Sequence, residues 1–324
     1  MSTSPTVEAR PPLFERLRDR WAWTAVVANL VGQIVIIVTG GAVRLTASGL
    51  GCSSWPQCEP GEFTPVLHAQ SSFHPYVEFG NRMVAPVLVV IGLVVAVLVV
   101  SENRRPWSYR ALGLVPVLGV LVQAVIGGLS VIYDLNPAIV GSHLLISMGL
   151  VAFSAWLVAR TREGDAPAVH LVDRTLRLLT GVLVALTVVV VALGVVVTGA
   201  GPHSGDSEVG YRFDVDPWLV AKAHAASVWA FIAVLVAILV LLRRSGIGGR
   251  TWTAALVLLG VTLGQGLVGY VQLFTGLPVA LVNLHMLGAA LLTTSVTFFV
   301  STTRGRGPAR SRSGAPAETV AAPR

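Results

Sequence analysis

The chain has 324 residues, of which 54% are hydrophobic and only 12% charged. That balance excludes water as the solvent for most of the chain and leaves the lipid bilayer. The formal net charge of +7 would suit a nucleic-acid binder, but the basic residues gather in particular connections rather than on one face, so nucleic acid is excluded as a partner.

Residues 1–20 read as an N-terminal segment carrying Arg16, Arg18 and Arg20. The first apolar run, 22–43, is long and ends without a small-residue cleavage site, so it is a helix rather than a signal peptide. Seven more runs follow at about 80–101, 110–132, 138–159, 175–199, 218–242, 252–274 and 279–301, each near the roughly 20 residues that a spanning helix needs. The fold class is therefore all-α integral membrane, with eight transmembrane helices. Arg104, Arg105 and Arg110 follow helix two, Arg160 and Arg162 helix four, Arg243, Arg244 and Arg250 helix six, and Arg304, Arg306, Arg310 and Arg312 helix eight. With alternating helices these all lie on one side, which the positive-inside rule makes cytoplasmic, together with both termini. Trp21, Trp23, Trp107 and Trp252 then sit in the inner interfacial belt. The tail from Gly305 to Arg324, rich in Arg, Ser, Pro and Ala, reads as disordered.

Cys52 and Cys58 fall in the long outer connection, from about Arg44 to Tyr76. On that side disulfides persist, and a small loop staple is the reading; two free thiols are the alternative.

The chain is written twice. Gln123 to His143 and Gln265 to His285 have equal length, with Gly127 and Gly269 at the fifth position, a His at the end, and Leu135/Leu277, Ala138/Ala280 and Val140/Val282 in register. Upstream, Val38-Thr39-Gly40 matches Val197-Thr198-Gly199. Helices one to four thus pair with five to eight, which predicts two four-helix bundles related by a pseudo-twofold axis along the membrane normal. The units are residues 1–20, an N-terminal bundle over 21–160, a cytoplasmic linker over 161–174, a C-terminal bundle over 175–303 and the tail 304–324. The outer loops differ: Pro202 to Pro217 is shorter and acidic, and the longer first loop gives its half a task of its own.

Ionisable residues inside a spanning helix are costly and point to function. His143, His224 and His285 each lie one to two turns in from the outer end, at depths of roughly 8 to 9 Å. His224 on helix six and His285 on helix eight are set to face each other across the second bundle, as a bis-histidine haem requires. Two hydrogen-bonded core histidines or a proton relay are the alternatives, and zinc lacks third and fourth ligands in that layer. In the first half His143 matches His285, but sliding His224 back by 143 lands on Asn81, a poor haem ligand. That half reads as a site with one axial ligand and an open opposite face, suited to a bound substrate. Glu78, three residues before Asn81 on the same helical face, is either an ion-pair partner of Arg82 or a carboxylate for acid–base work. Arg44, Arg82 and Lys222 are at outer helix ends, as propionate contacts or as snorkelling residues. His68, His74 and His203 read as outer-loop residues and His170 as an inner one.

The stretch Gly40-Gly41-Ala42-Val43-Arg44-Leu45-Thr46-Ala47-Ser48-Gly49-Leu50-Gly51-Cys52, followed by Trp55-Pro56 and Cys58, resembles the first outer loop of the haem A synthases. The Glu78, His143, His224 and His285 segments are similar to that family in order and spacing across all eight helices. The resemblance implies oxidation of one ring methyl of haem O to a formyl group by two successive hydroxylations, for cytochrome oxidase biogenesis. It also implies a resident haem b held by His224 and His285, a substrate haem held by His143, a catalytic Glu78 and a Cys52–Cys58 disulfide. An electron donor and the farnesyltransferase that makes haem O are the implied partners, and a homo-oligomer is compatible. The departure is Asn81, where many members carry a second histidine, so the substrate haem is held by His143 alone or with another residue such as His74. A non-catalytic membrane b-type haem protein, as electron carrier or haem-handling assembly factor, is the rival reading; a secondary transporter is a third, supported only by the repeat.

Overall fold

The computed structural model describes residues 12–66 and 72–307. Among these, eight helices are long and apolar enough to cross a membrane. They are α1 (Leu13–Leu45), α2 (His74–Val100), α3 (Trp107–Ile132), α4 (Pro137–Thr161), α5 (Arg174–Ala200), α6 (Pro217–Arg244), α7 (Gly249–Phe274) and α8 (Val279–Thr302). The chain is a multi-pass membrane protein, and each helix falls on one of the apolar runs. Local chemistry sets several starts: the side chains of Asn136, Asp173 and Asp216 accept from the backbone N–H of Ala138, Leu176 and Trp218, each relieving one orphan donor of a helix N-terminus. α3 opens with one α-helical turn and a 3-10 stretch, Ala111–Leu114, before continuing from Val115. Pro116 has no N–H to return to Leu112, which accounts for the tighter turn ahead of it.

Three boundaries differ from the sequence reading. α1 begins at Leu13 rather than near 22, because Arg16, Arg18 and Arg20 end the apolar run without ending the helix. His74 is the first residue of α2 and not part of the loop; Pro75 behind it suits a first helical turn. Arg304–Gly305 forms a two-residue strand β2, antiparallel to β1 (Val169–His170), so the expected disorder does not start at Gly305. There the Leu171 N–H bonds to the Thr303 carbonyl at 2.9 Å and Arg306 reaches the Ala166 carbonyl at 3.1 Å. Arg310, Arg312 and His68 lie outside the described residues.

α1 packs on α2, α4 and α8, and α4 packs on α8 and α5, so α1, α4 and α8 form the seam between the halves. At that seam a Cβ on Gly41 would lie 2.8 Å from Met286 Sδ; the missing side chain lets α8 approach, as small residues do between membrane helices. One apolar core gathers Val26, Leu30, Val95, Met148, Val151 and Ala155 with Ala290 of α8. A second gathers Leu183, Phe231, Leu235, Ile238, Leu258 and Phe299. Both cores lie toward the helix ends that carry the paired arginines, called the inner ends; the opposite ends, on the side of the disulfide loop, are called outer and hold the cavities.

The α3–α4 and α7–α8 turns share one backbone shape. Leu135 (φ 56°) and Leu277 (φ 59°) both adopt the left-handed region, preceded by Asp134 (φ 47°) and Gly276 (φ 77°). The Leu135 N–H bonds to the Ser130 carbonyl and the Leu277 N–H to the Gln272 carbonyl, at 2.7 and 2.8 Å. The matched segments therefore fold alike over this hairpin.

At the inner ends the arginines are paired. Arg18, 3% exposed, lies between Asp19 (2.9 Å) and Glu102 (3.1 Å). Asp165 accepts from Arg105 at 2.8 Å and Arg160 at 2.7 Å.

Candidate functional site

Two cavities open in the outer part of the molecule, one per half. The first, about 400 Å³, is lined by Glu78, Asn81, Arg82 and His143 among others. The second, about 360 Å³, is lined by His224 and His285. Counted from Pro137, Pro217 and Val279, the three histidines are about 9 to 11 Å deep.

In the second cavity the His224 and His285 ring centres are 6.5 Å apart. Two metal–nitrogen bonds of about 2.0 Å, plus ~1 Å from each nitrogen to its ring centre, span a little over 6 Å, so the pair is spaced for one metal between them. His224 Nδ1 lies 3.0 Å from the Val190 carbonyl; donating there leaves the lone pair on Nε2, the arrangement typical of a metal-ligating imidazole. Each ring lies over a glycine of the preceding helix: a Cβ on Gly194 would be 3.3 Å from His224, and one on Gly269 3.0 Å from His285. The residues present fit a bis-histidine haem.

The first cavity repeats the arrangement incompletely. Gly127 lies beneath His143 and Gly40 beneath Asn81, with Cβ positions 3.5 and 3.8 Å away. Asn81 lines the same cavity as His143, and its Oδ1 accepts from Thr39 Oγ1 at 2.7 Å. His74 does not line this cavity; its Nδ1 is 2.8 Å from Ser48 Oγ.

The loop after α1 roofs the first cavity with Trp55, Pro56 and Phe63. Trp55 lies against α3, where a Cβ on Gly128 would be 2.6 Å from the ring, and Phe63 meets Phe79 edge-on at 5.8 Å. Cys52 and Cys58 form a disulfide inside this loop. Glu78, 4% exposed, fastens it: one carboxylate oxygen accepts the Cys52 N–H at 2.7 Å, and the other accepts from Arg82. Arg82 in turn donates to the Ser54 and Gln57 carbonyls, each at 3.0 Å. Glu78 is thus ion-paired with Arg82 and also lines the first cavity.

Arg44 lines the first cavity and donates to the carbonyls of His203 and Thr198, each at 2.9 Å, joining the outer ends of the two halves. His203 continues that seam through Nε2 to the Leu277 carbonyl at 3.1 Å. Lys222 is exposed and lines neither cavity.

Sequence reasoning did not single out Gln33, Ser147 or Met286. Gln33 and Ser147 line the first cavity, and Met286, with Leu144, Val195 and Thr198, lines both. A glutamine inside an apolar run was the available signal for Gln33; a shared wall leaves no mark in the sequence.

Residues 20–203 match a family described as cytochrome oxidase assembly protein. Among curated relatives, the chain is similar to the heme A synthase of Geobacillus kaustophilus, 33% identical over 138 residues, covering 41% of this chain and 42% of the relative. It is also similar to the heme A synthases of Geobacillus thermodenitrificans (32% over 143 residues; 43% of each chain) and Shewanella oneidensis (32% over 147 residues; 41% of this chain and 44% of the relative). Each match spans less than half the length of the relative.

Proposed function

The chain belongs to the family of cytochrome oxidase assembly proteins, and from that premise we propose that it is an oxidoreductase that converts haem O to haem A. One ring methyl of the substrate is oxidised to a formyl group through two successive hydroxylations, each drawing on an external oxidant, and the doubly hydroxylated carbon loses water to leave the formyl group. The observation that carries this reading is the inequality of the two cavities: paired histidines at 6.5 Å in one, and in the other a single histidine, His143, with Asn81 also in the lining.

In this reading the second half is the cofactor half. His224 and His285 hold a haem b, which supplies a one-electron redox centre when bound. The Val190 carbonyl orients His224 through Nδ1. The first half is the substrate half. His143 is the one strong ligand offered to the substrate iron, and Asn81 leaves the opposite face open. Arg82 and Arg44 sit at the outer rim, where propionates would meet positive charge. Glu78 borders the reacting volume as its carboxylate, and the roof of Trp55, Pro56 and Phe63 keeps water out. The two halves descend from one duplicated four-helix unit around a pseudo-twofold axis, supported by the matching turns at Leu135 and Leu277. Both termini lie in the cytoplasm and the disulfide loop outside in this reading, which the arginine distribution supports. An electron donor and a farnesyltransferase that supplies haem O are the partners such a reaction needs.

The test is expression with a haem O supply, followed by pigment extraction and mass analysis. Haem A accumulates with the wild-type chain and not with His143→Ala. Its absence from folded, haem-loaded wild type, under conditions in which a known synthase makes it, would overturn the proposal.

A further inference from the structure

The first cavity carries two polar side chains on its inner walls, Gln33 and Ser147, in addition to a glutamine that both cavities have, Gln123 in the first and Gln265 in the second. Gln33 of α1 is 3% exposed, lines the cavity and makes no hydrogen bond; its buried Nε2 has no partner. Gln123 of α3 also lines the cavity; its Nε2 donates to the His143 carbonyl at 2.9 Å and to Ser147 Oγ, while its Oε1 is buried without a partner. Ser147 Oγ is used as well, donating to the His143 carbonyl at 2.9 Å. Two glutamines that line one cavity thus hold, buried in its wall, one donor and one acceptor without partners.

Counted from Leu45, Ile132 and Pro137, these residues lie about 14 to 18 Å from the outer helix ends, inward of the histidine layer. An unsatisfied amide there is costly, and apolar cores avoid it. On the α5 and α8 walls the second cavity is apolar: α5 contributes Val190 and Val191, and α8 has Ala289 where the 142-residue repeat places Ser147 in α4; its own unpartnered amide oxygen, on Gln272, lies near the outer end of α7. Gln265, the counterpart of Gln123, still bonds the His285 carbonyl at 2.7 Å. The shared bond therefore belongs to the histidine framework, and Gln33 with Ser147 is particular to the first half.

A free donor and a free acceptor in the wall of one cavity complement an alcohol, which offers one of each. We infer that Gln33 and Gln123, the latter held by Ser147, form a subsite for a hydroxyl group on the substrate's inner edge. Resting on the proposed function, this assigns the hydroxyl of the hydroxyalkyl side chain that distinguishes haem O from haem b. With the propionates at the arginine rim, that side chain enters the floor. The subsite makes the first cavity select haem O over the otherwise similar haem b.

The test uses the full chain, with its second site loaded with haem b, and titrates haem O and haem b separately into the first site. Wild type prefers haem O. Gln33→Met and Ser147→Ala each weaken haem O by about five- to tenfold, the worth of one buried hydrogen bond, and leave haem b binding unchanged. Equal weakening of both haems, or no change in either, in both variants overturns the subsite. Haem A formation by wild type in the same preparations separates the two levels: haem A made while Gln33→Met and Ser147→Ala keep full selectivity removes the subsite alone, and no haem A from bound haem O removes the function on which it rests.

Discussion

Glu78 holds two tasks that separate substitutions can pull apart. Its carboxylate faces the first cavity and also accepts from Cys52 N–H and Arg82. Glu78→Gln keeps an acceptor for the loop and removes the charge, so haem A formation falls by about 10²-fold or more while hydrogen exchange in residues 46–66 stays slow. Glu78→Ala loses both, with faster exchange in the same loop. Slow exchange in Glu78→Ala would show that the carboxylate does not fasten the roof. At this scale the sequence was most informative about groups that are expensive in lipid. His143, His224 and His285 stood out because apolar helices do not tolerate them idly. Arg44 did not yield its role, because its acceptors on Thr198 and His203 are more than 150 positions away, and helix-end cations look alike until the chain is folded.

The helices were legible because a run of some 20 apolar residues has few alternatives in a bilayer. The ends were less so: α1 continues through its arginines to Leu13, and the pairing of β1 with β2 rests on backbone bonds that composition does not encode. The turn between α3 and α4 carries a testable strain. Asp134 sits at φ 47° where the matching turn has Gly276, and L-residues other than glycine meet their own backbone in that region. Asp134→Gly therefore stabilises the protein by about 1 kcal/mol or less, read as a higher thermal midpoint in detergent with haem content unchanged. A lower midpoint would mean that the Asp134 side chain makes a contribution larger than the strain.

Across the whole molecule, the inner rim is tied by charge. Burial works against ionising Asp165, but the hydrogen bonds and charges of Arg105 and Arg160 outweigh it and hold its carboxyl below the usual range. A lowered value in the folded state means that the stabilisation is complete above the ordinary carboxylate range, about pH 4, and is lost as pH falls through the folded-state value. Asp165→Asn destabilises by roughly 1.5–3 kcal/mol at pH 7, and the gap from wild type narrows below about pH 4. A gap that stays constant with pH would assign the loss to packing instead. The seam between the halves has a different consequence. Met286, Leu144, Val195 and Thr198 each border both cavities, so a single layer of side chains belongs to two sites at once. Free energies measured on one side of that layer are not independent of the other: paired substitutions across it are expected to be non-additive, and the occupancy of either cavity becomes a variable in any titration of its neighbour.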